Sequence, residues 1–297
     1  MIPKKSLGQN FLTNAGIVAS IADAASLVPG ETVLEIGPGK GILTGELLKR
    51  GTRVISVEKD DDLMPFLREK LKREIAENRL ILIHDDILEI NFQFLISNFS
   101  PDGVCNPVRN ISPKQSSSVS SNMRTGLQTP SGDVSANYKL VANIPYYITG
   151  QIIRKFLTAE KQPEKIVLLV QKEVAERIIA KDNKESLLSV SVKAYGKPSY
   201  IKTVKAGSFT PAPKVDSAIL LIDDISRDFF ADISEERFFE ILHAGFAHKR
   251  KQLFGNLRTV FDEKILREKM KETRIPENIR AEDVSLPQWK KLSEEIG

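Results

Sequence analysis

The sequence predicts an α/β fold with helices on both faces of a parallel sheet, followed by a smaller all-helical part. Short, continuously apolar segments alternate with helix-like segments through the first half of the chain, which is typical of parallel strands buried on both faces. From about residue 234 only helix-like patterns remain. We therefore expect a large domain over residues 1–232 and a helical domain over residues 233–297.

The elements follow from these patterns in chain order. The apolar runs predict strands at residues 32–36, 53–57, 79–83, 138–142, 165–170 and 217–222. Helical periodicity and charge patterning predict helices at residues 14–28, 41–50, 60–76, 148–158, 237–248, 263–271 and 287–296. Asn14 is a suitable N-cap for the first helix because its side chain can accept from free backbone N–H groups.

Composition excludes several classes of protein. The chain has 297 residues, a net charge of +4, one cysteine and three histidines. A single cysteine excludes an intramolecular disulfide and a cysteine cluster, and we expect no metal site. No apolar run reaches the roughly 18 residues of a membrane span, and the N-terminus lacks a secretory signal. We expect a cytoplasmic protein with no membrane partner, and the basic balance permits a polyanionic one.

Residues 101–136 interrupt the α/β pattern. The segment is rich in serine and proline, and residues 114–121 have low complexity. Such a composition buries too little apolar surface to offset the entropy of ordering. We predict a disordered surface insertion, with a functional lid as the alternative.

A glycine-rich turn follows the first predicted strand. Gly37, Gly39 and Gly41 alternate between that strand and the next helix, so the backbone can pass close to a ligand. Glu58 ends the following strand, where a carboxylate can accept both ribose hydroxyls of an adenosine. A tight turn without a ligand is the plain structural alternative.

The spacing of this turn distinguishes two cofactors. A dinucleotide site needs Gly-x-Gly-x-x-Gly, but Ile42 stands at the last glycine position of that pattern. With Glu35 included, the segment reads Glu-x-Gly-x-Gly-x-Gly, which resembles motif I of class I S-adenosylmethionine (SAM) methyltransferases. This resemblance favours SAM over NAD and implies a Rossmann-like class I SAM methyltransferase domain. Asp86, or its neighbour Asp85, could accept from the adenine amino group.

The tetrapeptide Asn-Ile-Pro-Tyr at residues 143–146 follows the fourth strand. It resembles the Asn/Asp-Pro-Pro-Tyr/Phe signature of methyltransferases that act on exocyclic amines of nucleobases. An adenine amino group is a poor nucleophile because its lone pair is delocalised into the ring. The amide oxygen of Asn143 and a backbone carbonyl can accept its two N–H groups and direct the lone pair at the methyl donor. Tyr146 would stack on a base that has left its helix.

Several further motifs occur in the same order as in one enzyme family. With Ile144 in the tetrapeptide, the chain resembles the rRNA adenine dimethyltransferases. Within that family it is most similar to the enzymes that act on small-subunit rRNA. The matching segments cover almost the whole chain except residues 101–136. They are Lys-Lys-Ser-Leu-Gly-Gln-Asn-Phe-Leu at 4–12, Gln-Lys-Glu-Val-Ala-Glu-Arg at 171–177 and Ser-Phe-Thr-Pro-Ala-Pro-Lys-Val-Asp-Ser at 208–217.

The resemblance implies a role for each matching residue. The cofactor-binding set would be Gln9, Asn10, Leu12, Gly37, Gly39, Gly41, Glu58, Asp86 and Asn143. The catalytic set would be Asn143, Pro145, Tyr146 and Phe209, with Tyr146 and Phe209 on either side of the target adenine. Phe209 could instead be a core residue, but its flanking prolines favour an exposed loop.

The family resemblance also implies a substrate and partners. The expected activity is SAM-dependent N6-dimethylation of two adjacent adenines in a hairpin loop near the 3′ end of 16S rRNA. The expected partner is a 30S precursor, with no DNA and with the protein as a monomer. A 23S rRNA methyltransferase of the macrolide-resistance type and a catalytically silent ribosome-assembly factor are the alternatives.

Two basic stretches, together with Lys4 and Lys5, could contact RNA phosphates. Lys249, Arg250 and Lys251 form the first, where the resembled family has a basic helix junction. The second, residues 186–215, contains no acidic residue, and its five lysines are Lys193, Lys197, Lys202, Lys205 and Lys214. A charge run can also be only a solvated face.

Overall fold

The computed structural model describes residues 4, 8–90 and 137–296. Seven of its strands form one sheet in the order β4-β3-β2-β5-β6-β9-β7. They are β2 (Thr32–Ile36), β3 (Arg53–Glu58), β4 (Leu80–His84), β5 (Tyr138–Asn143), β6 (Lys165–Gln171), β7 (Lys197–Val204) and β9 (Ser217–Asp223). Two short strands, β1 (Phe11–Leu12) and β8 (Phe209–Thr210), pair separately.

Helices cover the sheet and form the C-terminal part. The first four are α1 (Ala15–Ala24), α2 (Ile42–Lys49), α3 (Leu63–Lys70) and α4 (Lys72–Ala76). After β5 come α5 (Thr149–Leu157), α6 (Lys172–Ile179) and α7 (Leu187–Lys193). The C-terminal helices are α8 (Glu235–Gly245), α9 (Leu253–Leu257), α10 (Glu263–Glu272) and α11 (Leu286–Ile296). Asn14 caps α1 as predicted, accepting from the N–H groups of Gly16 and Ile17.

The sheet is mostly parallel, which confirms the predicted fold class. Strands β4, β3, β2, β5 and β6 are parallel neighbours, whereas β9 runs antiparallel to both β6 and β7. The antiparallel direction of β9 was not predicted, because an apolar run fully buried on both faces carries no sign of strand direction. Strand order reverses between β2 and β5, and ligands of open α/β sheets bind at such a switch point.

Strand β7 was also missed by the sequence analysis. It lies at the sheet edge, and exposed residues such as Lys197 and Lys202 alternate there with partly buried ones over most of its length. Its polar side therefore resembled a solvated charged stretch. The bulge between Tyr200 and Lys202 further disturbs the alternation that would have identified a strand.

Successive strand residues pack on opposite faces of the sheet. Val33 belongs to the core formed with α1, α2 and α3, whereas Leu34 belongs to the core formed with α5 and α6. This two-sided burial explains why the strands read as continuous apolar runs. Each of the six predicted strands begins and ends within one residue of its observed limits.

The C-terminal helices share a third core. Trp289, Phe238 and Leu257 are fully buried in it, and Val190 and Ala194 of the α7 region join them. The backbone N–H of Glu185 also donates to the carbonyl oxygen of Glu282 at 2.7 Å. The helical part is thus packed onto the α/β part through α7, and the division at residues 232 and 233 stays a prediction.

Two further expectations concern the insertion at 101–136 and the lack of a membrane-spanning segment. The predicted insertion at 101–136 lies outside the described residues. Within the described ranges, no helix combines the length and apolar character that crossing a membrane requires.

Candidate active site

A cavity of about 420 Å³ opens at the carboxyl ends of β2, β3 and β5. Its size suits a small-molecule ligand, and it lies where the strand order reverses. The cavity brings together most residues that the sequence assigned to the site: Gln9, Asn10, Leu12, Gly37, Gly39, Glu58, Asp86, Asn143, Pro145 and Tyr146. Gly41 and Phe209 are absent from its lining.

The three glycines of the turn all have positive φ but face different surroundings. A Cβ on Gly37 would point toward the Asn143 carbonyl oxygen, 3.8 Å away in the cavity wall. A Cβ on Gly39 would lie 3.1 Å from the Phe11 ring, and one on Gly41 would lie 3.1 Å from Leu67. Gly41 therefore allows α2 to pack closely against α3. The spacing of the glycines alone does not distinguish this packing role from ligand binding.

Glu58 lies in the cavity wall with its carboxylate already oriented. Its Oε2 accepts from the backbone N–H of Gly39 at 3.1 Å, and its Oε1 accepts from that of Asp60 at 2.9 Å. Burial raises the pKa of this carboxyl, and the two N–H donors oppose that rise. Each oxygen retains acceptor capacity for a further donor, as a pair of ribose hydroxyls would need.

Asp85 and Asp86 both line the cavity beyond β4. Asp86 accepts from Lys59 Nζ at 2.6 Å and from the Leu88 N–H at 2.9 Å. Burial favours a higher pKa for Asp86, but these donors outweigh it and the pKa is lowered. Lys59 is therefore a member of the site that the sequence analysis missed, because its pairing with Asp86 joins positions 27 residues apart.

Residues 8–12, the N-terminal wall of the cavity, contact the tetrapeptide. Asn143 Nδ2 donates to the Asn10 carbonyl oxygen at 3.3 Å. This bond identifies the amide nitrogen as the end facing the wall. Within the described part of the chain, no hydrogen bond engages Asn143 Oδ1, so this oxygen can accept from a ligand.

Gln9 differs from the role expected for it. Its Nε2 donates to Asp60 Oδ2 at 2.6 Å, and its Oε1 accepts from the backbone N–H of Lys4 at 2.8 Å. Although Gln9 lines the cavity, both ends of its carboxamide are engaged within the protein. Direct contact of its side chain with a cofactor stays a prediction.

Tyr146 is partly buried and held by its hydroxyl group. The hydroxyl lies 2.7 Å from Ser217 Oγ at the start of β9, and burial raises its pKa. The next residue, Tyr147, is 64% exposed at the cavity mouth. Nothing in the sequence indicated this contact, because fully buried Ser217 reads only as the first residue of an apolar strand.

The expectation of an exposed Phe209 is wrong. Its side chain is 3% exposed and packs in the same core as Phe11 and Leu12. The reason is pairing of β8 with β1, which places Leu12 opposite Phe209 and draws the ring inward. Pro211 and Pro213 lie in the irregular segment after β8, but Phe209 itself belongs to β8, so the prolines did not indicate where its side chain points. A role for Phe209 in holding adenine stays a prediction.

Glu35 is a buried carboxyl beneath the cavity. Its Oε2 accepts from Thr44 Oγ1 at 2.7 Å and from Ser56 Oγ at 2.8 Å. Its Oε1 is buried and has no partner in the described part of the chain. Burial raises its pKa to about 7. Glu35 thus joins β2 to α2 and β3, and it does not line the cavity.

Lys249, Arg250 and Lys251 lie in the loop between α8 and α9. All three are exposed, and no ion pair involves them among the residues that the structure describes. Buried Asn256 shapes this loop, since its Nδ2 donates to the carbonyl oxygens of Gly245 at 2.6 Å and His248 at 3.2 Å. The loop therefore presents uncommitted positive charge.

The second basic stretch is largely neutralised, and Lys4 is likewise ion-paired, with Asp60 and Asp62. Lys193 pairs with Glu185 at 2.6 Å, Lys197 with Asp224 at 2.8 Å and Lys205 with Asp216 at 2.8 Å. These acids lie outside the interval 186–215 or at its edge. An acid-free interval in sequence therefore did not indicate an acid-free surface.

Comparison with known proteins identifies the family. The model of the ribosomal RNA adenine dimethylase family matches residues 3–297. A Dehalococcoides mccartyi protein named ribosomal RNA small subunit methyltransferase A is 38% identical over 97% of this chain and 87% of its own length. A Clostridium botulinum protein of the same name is 34% identical over 98% of this chain and 92% of its own.

Two solved structures share the fold. A dimethyladenosine transferase from Plasmodium falciparum superposes with a TM-score of 0.70 at 24% identity, covering 95% of both chains. The 23S rRNA methyltransferase ErmE superposes with a TM-score of 0.67 at 24% identity, covering 97% of this chain and 99% of its own. At this identity the likeness concerns the fold alone.

Proposed function

The chain belongs to the ribosomal RNA adenine dimethylase family, and we propose from this premise that it N6-dimethylates two adjacent adenines of 16S rRNA. The expected site is a hairpin loop near the 3′ end of that RNA, and SAM is the methyl donor. One observation carries the proposal most directly. The glycine turn and the Asn-Ile-Pro-Tyr tetrapeptide meet in one cavity, where Gly37 faces the Asn143 carbonyl oxygen.

The residues of the cavity fit SAM. Glu58 offers two buried carboxylate oxygens, each with one backbone donor and with further acceptor capacity for the ribose hydroxyls. Asp86 or Asp85 would accept from the adenine amino group of the cofactor. When bound, SAM would supply an electrophilic methyl group on a positively charged sulfur, whose bond to that methyl breaks as the new N–C bond forms and leaves a neutral thioether.

Asn143 prepares the target amine for attack. Its Nδ2 is held by the Asn10 carbonyl, so its Oδ1 is available for an N–H of the target adenine. A hydrogen bond there, with another to a backbone carbonyl, favours a pyramidal nitrogen whose lone pair can form the new N–C bond. The amine proton becomes acidic once the methyl has transferred and leaves to solvent, so no strong general base is required.

Tyr146 provides a fixed aromatic face for the target base. The contact of its hydroxyl with Ser217 restrains the ring before RNA binds. Stacking on such a ring contributes roughly 1–3 kcal/mol per base and compensates part of the cost of unstacking. This role, like those of Pro145 and Phe209, is part of the proposal.

The loop at residues 249–251 would bind rRNA phosphates. Its exposed cations, which form no ion pair with any described residue, can displace counterions condensed on RNA, in contrast to the ion-paired lysines near β7. We place the reaction on a 30S precursor in the cytoplasm, with the protein acting as a monomer.

Methyl transfer from labelled SAM to unmethylated 30S particles tests the proposal. We expect label on two adjacent adenines of 16S rRNA, mapped by nuclease digestion and mass spectrometry. Label in 23S rRNA from 50S particles would instead support the macrolide-resistance type of enzyme. RNA binding with no label and no SAM binding would support a silent assembly factor.

A further inference from the structure

Asp60 is an unusually well-bonded carboxylate just beyond β3. Its side chain is 3% exposed. Oδ1 accepts from Lys4 Nζ and from the backbone N–H of Asp62, and Oδ2 accepts from Gln9 Nε2 at 2.6 Å. Burial favours a higher pKa for this carboxyl, but the Lys4 and Gln9 donors outweigh it and the pKa is lowered. The group is therefore an anion held by donors from two parts of the chain.

Both side-chain donors belong to the N-terminal region that leads into the cavity wall. Lys4 Nζ also contacts Asp62 Oδ2 at 2.7 Å, and the Lys4 backbone N–H donates to Gln9 Oε1 at 2.8 Å. Lys4, Gln9 and Asp60 thus form a closed set of contacts. Because residues 8–12 line the cavity, these contacts fix the position of that wall.

The same residue also orients the ribose-binding carboxylate. The backbone N–H of Asp60 donates to Glu58 Oε1 at 2.9 Å. Asp60 therefore holds Glu58 through its main chain and the N-terminal wall through its side chain. The carboxylate of Glu58 and the N-terminal wall are thus both hydrogen-bonded to this one residue.

We propose that Asp60 is a positioning residue for the cofactor, anchoring the N-terminal wall at residues 8–12 at the distance from Glu58 that SAM binding requires. The inference rests on the proposed function for the identity of the ligand. It assigns Gln9 a role through Asp60, since both ends of the Gln9 amide are engaged within the protein. Loss of the anchor should weaken SAM binding without altering the contacts to RNA.

The test is Asp60→Asn, which keeps the side-chain shape but removes the charge and one acceptor. We expect the KM for SAM to rise about tenfold, with kcat at saturating SAM and the KM for RNA each within threefold of wild type. Asp61→Asn is the matched control, because the Asp61 side chain is 81% exposed and contacts His84 Nε2 at 2.7 Å, not Gln9 or Lys4. The control should leave all three constants unchanged.

A second pair of measurements separates positioning from general stability. Gln9→Ala should raise the KM for SAM by a similar factor. The KM of the double variant should not exceed that of the single variant with the higher KM. Hydrogen exchange at the amides of residues 10–12 should quicken in Asp60→Asn, while exchange in β5 stays unchanged. If Asp60→Asn fails to fold, Gln9→Ala alone tests the anchor by the same exchange and KM measurements.

The outcomes that overturn the inference differ from those that overturn the proposed function. Wild-type affinity for SAM in both Asp60→Asn and Gln9→Ala, or additive losses in the double variant, would refute the anchor. Failure of the wild-type protein to bind SAM or to label 16S rRNA would instead refute the proposed function.

Discussion

The polar groups of the cavity and those of the basic loop at residues 249–251 differ in burial and in bonding. Glu58 and Asp60 in or beside the cavity are buried and bonded to several donors. Lys249, Arg250 and Lys251 are exposed and engage in no ion pair among the described residues. A site that must orient a small cofactor benefits from groups fixed beforehand, whereas a surface that must attract a flexible polyanion benefits from charges that remain free.

The largest effect should come from removing the fixed acceptor in the cavity. We expect Asn143→Ala to slow methyl transfer by about 10²–10³-fold, as for the loss of one preorganised transition-state hydrogen bond. Single-turnover transfer of labelled methyl groups measures the rate, and filter binding should show unchanged RNA affinity. Asn278→Ala, at an exposed turn in the helical part, is the control. A near-normal rate for Asn143→Ala would remove the tetrapeptide from the mechanism.

Substitution of Glu35 tests whether its burial near the cavity lowers the stability of the protein when the carboxyl is ionised. Its folded pKa of about 7 exceeds the ordinary 4.5, so its contribution to stability is complete below pH 4.5 and is lost as pH rises to 7. The free energy of unfolding of Glu35→Gln should therefore rise relative to that of wild type, by up to about 3 kcal/mol, as the pH is raised from 4.5 to 8. Urea unfolding at both pH values measures this difference. Parallel pH profiles for the two proteins would contradict it, and Glu69→Gln, at an exposed position, provides the control.

The basic loop should respond in RNA affinity alone. Replacing Lys249, Arg250 and Lys251 together by alanine should weaken RNA binding by about 30- to 100-fold at low salt and lower the salt slope by about two. SAM affinity should not change. The paired-lysine variant Lys197→Ala/Lys205→Ala should lose less than threefold. Equal losses in the two variants would show that ion pairing does not distinguish these surfaces.

The smallest effect should come from a hydroxyl group that only restrains a ring. Tyr146→Phe removes the contact with Ser217 and keeps the aromatic face, so we expect a rate loss of about fivefold, or about 1 kcal/mol. Ser217→Ala should give a similar loss, and the double variant should add little. A loss as large as that of Asn143→Ala would mean that the hydroxyl itself takes part in the reaction.

The sequence predicted six of the strands and most of the cavity because both depend on local patterns. Apolar runs located the six strands. The carboxyl ends of parallel strands lie at one edge of the sheet, so they bring Gly37, Glu58 and Asn143 together whatever the conformation of the loops. Pairings between distant positions could not be predicted. Asp60 with Gln9 and Phe209 with Leu12 depend on how the N-terminal region folds back across the sheet.

The small sheet of β1 and β8 joins two regions that serve different ligands in the proposed reaction. Leu12 lies opposite Phe209, and the Thr13 N–H donates to the Ser208 carbonyl oxygen at 2.9 Å. The cofactor wall at residues 8–12 and the segment at 208–210 are therefore joined by backbone pairing. If SAM binding orders this paired segment, RNA binds a segment that is already ordered, and thermodynamic linkage then requires bound RNA to tighten SAM binding by the same factor.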